Sequence, residues 1–157
     1  MAKKPTILLL LLLVLAAAAC GDDAGETTST AAVTTTAVLG EAALTITGSV
    51  TAEQAFSIDA LRDLEGVSLT LEHPKNGPTE YTGVRLNALL DLAGIDATAT
   101  TVTLIASDGY SIDISLTDVR ACADCLVAFA GEGALSMAMP GMGSAAWVKD
   151  VVEIAAG

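Results

Sequence analysis

The chain has 157 residues, 19 acids against 7 bases, a formal net charge of −12 and 52% hydrophobic residues. That length suits one ordinary domain, and the acidic balance argues against nucleic acid and anionic lipid as partners of the bare surface, because like charges repel. No phosphate loop, calcium loop or Ser-His-Asp order occurs.

Met1-Ala2-Lys3-Lys4 is a short positive stretch, followed by the apolar run Ile7 to Leu15 and by Ala16-Ala17-Ala18-Ala19-Cys20. Positive start, apolar middle and small residues before a cut are the parts of a secretory leader. The run is shorter than the span of about 20 residues that a bilayer needs. A cysteine directly after small residues has the pattern of a bacterial lipobox, with Ala17 where leucine is usual. We therefore expect a signal peptide over 1–19 and lipidation at Cys20. Acyl chains would then hold the mature protein at the membrane by about 0.8 kcal/mol per buried CH₂. Losing Lys3 and Lys4 leaves 19 acids and five bases, a net charge of −14. Residues 20–40 continue as GDDAGETTSTAAVTTTAVLG after the cysteine, small and threonine-rich, and read as a tether. The folded domain is expected over 41–157.

Within it, Leu44 to Val50 alternates and is rich in β-branched residues, which predicts a strand. Phe56 to Ile58 is a short extended piece. Asp59 is the expected cap of a short helix, Ala60 to Leu64, ended by Gly66. Val67 to Leu71 alternates as a strand, and Glu72 to Thr79, with two prolines and Asn76-Gly77, reads as a loop. Tyr81 to Val84 leads into a helix over Arg85 to Ala93, with Leu86, Leu89, Leu90 and Ala93 at helical spacing and Gly94 as C-cap. Thr101 to Ala106 and Tyr110 to Ser115 form a hairpin across Ser107-Asp108-Gly109. A helical turn follows over Thr117 to Ala121. Strands are expected over Leu126 to Phe129 and Leu135 to Met139, around the turn Gly131-Glu132-Gly133, and Trp147 to Ala155 is extended. Strands outnumber short helices, so the fold class is α+β, mainly antiparallel sheet.

Several strings then carry a resemblance. They are Tyr81-Thr82-Gly83-Val84-Arg85-Leu86 with Leu89-Leu90 and Ala93-Gly94, Ser107 to Ser111 (SDGYS), Leu126 to Phe129 (LVAF), Pro140-Gly141 and Trp147-Val148-Lys149. In this order they resemble the oxidoreductase molybdopterin-binding domain, the sulfite-oxidase-like fold. The resemblance implies an antiparallel-sheet domain that in its enzymes holds molybdenum through a pterin dithiolene and one protein cysteine. It also implies that His73, Asp108, Tyr110, Gly141 and Lys149 are the positions nearest a cofactor. Two departures stand against catalysis. The family's cysteine follows a histidine, and here His73 is followed by Pro74. The family's basic side chains facing the pterin fall at Met142 and Ala146, which offer no charge-assisted hydrogen bonds to an anion.

Cys122-Ala123-Asp124-Cys125 is the remaining redox signature. A C-x-x-C pair serves as a dithiol switch, half a zinc site or a structural disulfide, and the staple is the plainest reading outside the cytoplasm. Met137, Met139 and Met142 are soft thioether ligands in principle, with a buried strand face as the simpler account. The expectation is a lipid-anchored, extracytoplasmic domain of this fold, non-catalytic and without the cofactor, used for binding or assembly with an envelope protein partner. The alternatives are an active molybdopterin-dependent oxidoreductase and a thiol-disulfide or metal-handling lipoprotein.

Overall fold

The computed structural model describes residues 41–157; the leader, Cys20 and the threonine-rich stretch lie outside them. Strand β1 (Leu44–Gly48) buries Leu44 and Ile46 and pairs antiparallel with β2 (Gln54–Phe56). It stops at Gly48, short of the expected Val50, because the backbone there takes φ +87° and runs against Ala156, whose carbonyl oxygen would lie 2.1 Å from a Cβ. Helix α1 (Ile58–Arg62) is capped by Ser57, not Asp59. The Ser57 backbone is extended and its hydroxyl accepts the Ala60 N–H at 3.2 Å, while Asp59 sits in the first turn, where its charge suits the helix dipole.

The largest difference from expectation lies between residues 66 and 85. Gly66 opens a strand instead of ending a helix: β3 (Gly66–His73) pairs antiparallel with β4 (Gly77–Arg85) from Gly66↔Val84 to His73↔Gly77. The stretch expected as a loop is thus mostly hairpin, and only Pro74, Lys75 and Asn76 remain in the turn. Pro78 is accommodated inside β4 opposite the edge strand, where proline is tolerated if its missing donor is not needed. Helix α2 (Leu86–Ala93) buries Leu86, Leu89, Leu90 and Ala93, and Gly94 closes it in the left-handed conformation, φ +66°. Each buried leucine contributes about 1.5–3 kcal/mol of transfer free energy. The Leu86 N–H, one of the donors a helix start leaves free, reaches the Cys125 carbonyl at 2.8 Å.

Strands β5 (Thr101–Ala106) and β6 (Ser111–Ser115) form the expected hairpin, followed by α3 (Leu116–Ala121). Strands β7 (Leu126–Ala130) and β8 (Ala134–Ala138) form the next. A 3-10 turn over Ser144–Ala146 precedes β9 (Val151–Ala156), so Trp147 ends the turn and does not begin the last strand. Two sheets result, β2-β1-β9-β5-β6 and β3-β4-β7-β8. The only parallel pairing among the described strands is β1 with β9. Leu44, Ile46, Leu104 and Ile154 of one sheet, Val84, Leu126 and Met137 of the other, and α2 share one core. The fold is α+β with mainly antiparallel sheet, as the strand pattern implies.

Candidate functional site

His73 ends β3, and its ring meets Trp147 edge-on at 4.8 Å between centroids; Tyr81, on β4, lies 5.6 Å from the same indole. The His73 imidazole also closes its own turn, since Nδ1 accepts the backbone N–H groups of Lys75 at 3.1 Å and Asn76 at 3.2 Å. Nδ1 thus acts as an acceptor, which leaves Nε2 as the nitrogen free to face other groups. This is turn chemistry of the kind asparagine and aspartate usually supply. Trp147 is 8% exposed, and its indole N–H finds no partner among the described residues.

Trp147 also lines a hollow of about 330 Å³ together with Asp108, Tyr110, Ser144 and Lys149. Asp108 accepts the Tyr110 N–H at 2.9 Å, which tightens the β5–β6 turn, and the Tyr110 hydroxyl donates to the Ala145 carbonyl at 3.3 Å. Three of the five residues singled out by resemblance, Asp108, Tyr110 and Lys149, therefore share one hollow, with His73 reached through the indole. Gly141 is elsewhere. It lines a larger groove of about 640 Å³ with Met142, Cys122, Asp113 and Asp118. Sequence reasoning gave this groove no role; the signal was the C-x-x-C pair followed, 15 residues after Cys125, by Pro140-Gly141.

Cys122 and Cys125 form a disulfide. Cys122 follows α3 as its C-cap and is half-buried, while Cys125 is fully buried at the start of β7. Arg85 holds the loop between them, donating to the Ala123 carbonyl and pairing with Asp124 at 3.1 Å. Met137 and Met139 are fully buried in the core, which agrees with the simpler account of the methionines.

A model of the oxidoreductase molybdopterin binding domain matches residues 33–156. The chain belongs to that family. Sulfane dehydrogenase SoxCD from Paracoccus pantotrophus is a structural relative of this family member, with a TM-score of 0.62 and 18% identity over 72% of the chain. At that identity the likeness shows the fold. The chain spans 37% of the length of the SoxCD chain it matches. No curated protein matches the sequence.

Membership in the family implies a molybdopterin, and the described residues do not fit one. The position after His73 is Pro74, which is exposed in the turn and has no metal-binding group. Both described cysteines are locked together, so neither offers a thiolate to a metal. The electrostatics point the same way. Arg62 pairs with Asp59 and lies over Phe129, Arg85 pairs with Asp124, and Arg120 pairs with Asp91 at 2.6 Å. Lys149 is the one base lining either hollow, and Asp108, Asp150, Asp113 and Asp118 line them with it. A doubly charged phosphate would meet more carboxylates than cations there.

Proposed function

We propose that this chain is a lipid-anchored, extracytoplasmic member of the molybdopterin-binding family that has given up molybdenum catalysis and serves in binding or assembly at the cell envelope. The observation that carries this reading is the closed β3–β4 hairpin. Where the family's enzymes need a loop bearing a thiolate, this chain pairs residues as far as His73↔Gly77 and turns on Pro74. The carboxylate-lined hollows support it, since they suit neither the phosphate nor the negative charge of a pterin cofactor. The leader pattern and Cys20 support the anchor and the location outside the cytoplasm. A folded body on a tether, with a scaffold intact and its reactive parts removed, suits a partner-holding role.

The test is metal content. The full chain is matured in a host that makes molybdopterin, extracted and analysed for molybdenum, with sulfite-dependent electron transfer measured alongside. The expected result is molybdenum far below one per chain and no sulfite-dependent transfer. One molybdenum per chain, or transfer that requires sulfite, overturns the reading in favour of a working oxidoreductase.

The disulfide offers a second reading, thiol exchange, and the geometry weighs against it. A sulfur at a helix C-terminus faces carbonyl dipoles, which disfavour the thiolate that exchange needs. A reduction potential below about −300 mV marks a structural bond, and a value near those of exchange proteins revives the redox role.

A further inference from the structure

Strand β3 is an edge strand with eight residues, GVSLTLEH, and only β4 beside it among the described residues. The other sheet ends are defended. β2 has three residues, and β8 is bridged on its outer side where Ser136 meets Lys149. β6 is five residues long against the eight of β3, and each carries one acid, Asp113 and Glu72. Proteins commonly protect a long edge with a proline, a lysine within the strand, or a bulge. β3 has none of these, and its register with β4 runs unbroken over all eight pairs.

We infer that β3 pairs antiparallel with β3 of a second copy of this chain, joining two four-stranded sheets into one of eight. The sequence of the edge is complementary to itself. A two-fold axis at Thr70 places Leu69 opposite Leu71 and Val67 opposite His73 on one face, and Ser68 opposite Glu72 on the other. Val67 and Leu69 are half-buried here, although Leu71 on the same face is buried. A neighbouring strand covers both. The charges at the ends of the strand match as well. In this antiparallel arrangement the hairpin tip, with Lys75 in its turn, lies at the end of the strand where Glu65 precedes β3 of the second copy, twice by symmetry. Lys75 and Glu65 are exposed, and neither is in an ion pair among the described residues. The acid-rich surface otherwise opposes self-association, so these two pairs select the antiparallel register.

Site-directed cross-linking of the full chain in intact cells tests this. Opposed residues of antiparallel strands have Cα atoms about 4.5–5.5 Å apart, within the reach of a disulfide. Thr70→Cys should therefore give a reducible dimer under mild oxidant. Thr117→Cys, exposed on α3, and the parent chain are the controls and should not. Adding Lys75→Glu to Thr70→Cys replaces two attractive pairs with two repulsive ones and should cut the cross-linked fraction about five-fold; adding Glu65→Lys as well should restore it. A monomeric Thr70→Cys chain, cross-linking equal to that of Thr117→Cys, or a yield that ignores the charge at residue 75 overturns the inference.

Discussion

Gly83 sits in the Tyr-Thr-Gly-Val string that carries the family likeness, and its replacement by alanine gives a sharp test of the packing. Gly83 lies in β4 opposite Ala128 of β7. A Cβ at Gly83 would fall 2.1 Å from the Val127 carbonyl oxygen and 2.6 Å from the Ala128 Cα, both backbone atoms. Ordinary contact begins at 3.4 Å, so the strands must part by about 1.3 Å or the chain must rotate. β4 and β7 share three residue pairs, Gly83↔Ala128, Val84↔Val127 and Arg85↔Leu126, all near the obstruction. Weakening about three ladder hydrogen bonds at about 1 kcal/mol each, and loosening buried Val84 and Val127, gives a loss of about 3–5 kcal/mol. That is a large part of the roughly 5–15 kcal/mol of a typical domain. Gly77→Ala is the matched control. Nothing lies within 4 Å of its Cβ position, and its φ of +71° is the sole obstacle, so about 1 kcal/mol is expected. Urea unfolding followed by Trp147 fluorescence measures both. A Gly83→Ala loss no larger than that of Gly77→Ala would refute the claim that backbone contact fixes glycine here.

Three further outcomes are expected. Replacing Cys122 and Cys125 together by alanine should cost about 2 kcal/mol in the same urea assay, because the closed loop is only four residues long; a loss above about 4 kcal/mol would mean the disulfide also fixes α2 through the Leu86–Cys125 hydrogen bond. Asp96 is held below the usual carboxylate range by the Thr98 hydroxyl and then by the Thr98 N–H, at 2.7 and 2.8 Å. Thr98→Val should raise it in a carboxyl NMR titration. A depressed carboxyl stabilises the fold above its ordinary titration range and loses that contribution as pH falls through the lowered value, so the stability gap between parent and variant should close on acidification. His73→Ala should loosen the Pro74–Asn76 turn and cost about 1 kcal/mol, with His73→Asn recovering most of it, since asparagine also accepts turn N–H groups.

The alternating strands, the α2 face and the Gly94 cap were legible because each is a local periodicity or a single residue's conformational preference. The 66–85 hairpin was not. Pro74, Asn76-Gly77 and Pro78 are loop signals in any window of sequence, and the pairing that overrides them, such as Thr70↔Glu80 and Leu71↔Thr79, is visible only across the turn. Ser57 was passed over as a cap because Asp59 is an equally good capping type; the backbone φ and ψ decide between them. At the candidate site, the pairing of Cys122 with Cys125 was the plainest of three readings that the C-x-x-C spacing leaves open. The gathering of Asp108, Tyr110 and Lys149 around Trp147 was carried by the family likeness and not by any pattern in the chain itself. The turn-closing use of His73 depends on where its ring points, which residue order does not specify.

The parallel contact between β1 and β9 sets an order on how this protein is made. β9 occupies the slot between β1 and β5, pairing Ile46↔Ile154 on one side and Leu104↔Ile154 on the other. Until residues 151–156 have left the ribosome, the two aliphatic strands on either side have no common neighbour. A nascent chain halted upstream of Val151 should therefore stay open, protease-sensitive and sticky, however much of its sequence has already been translated.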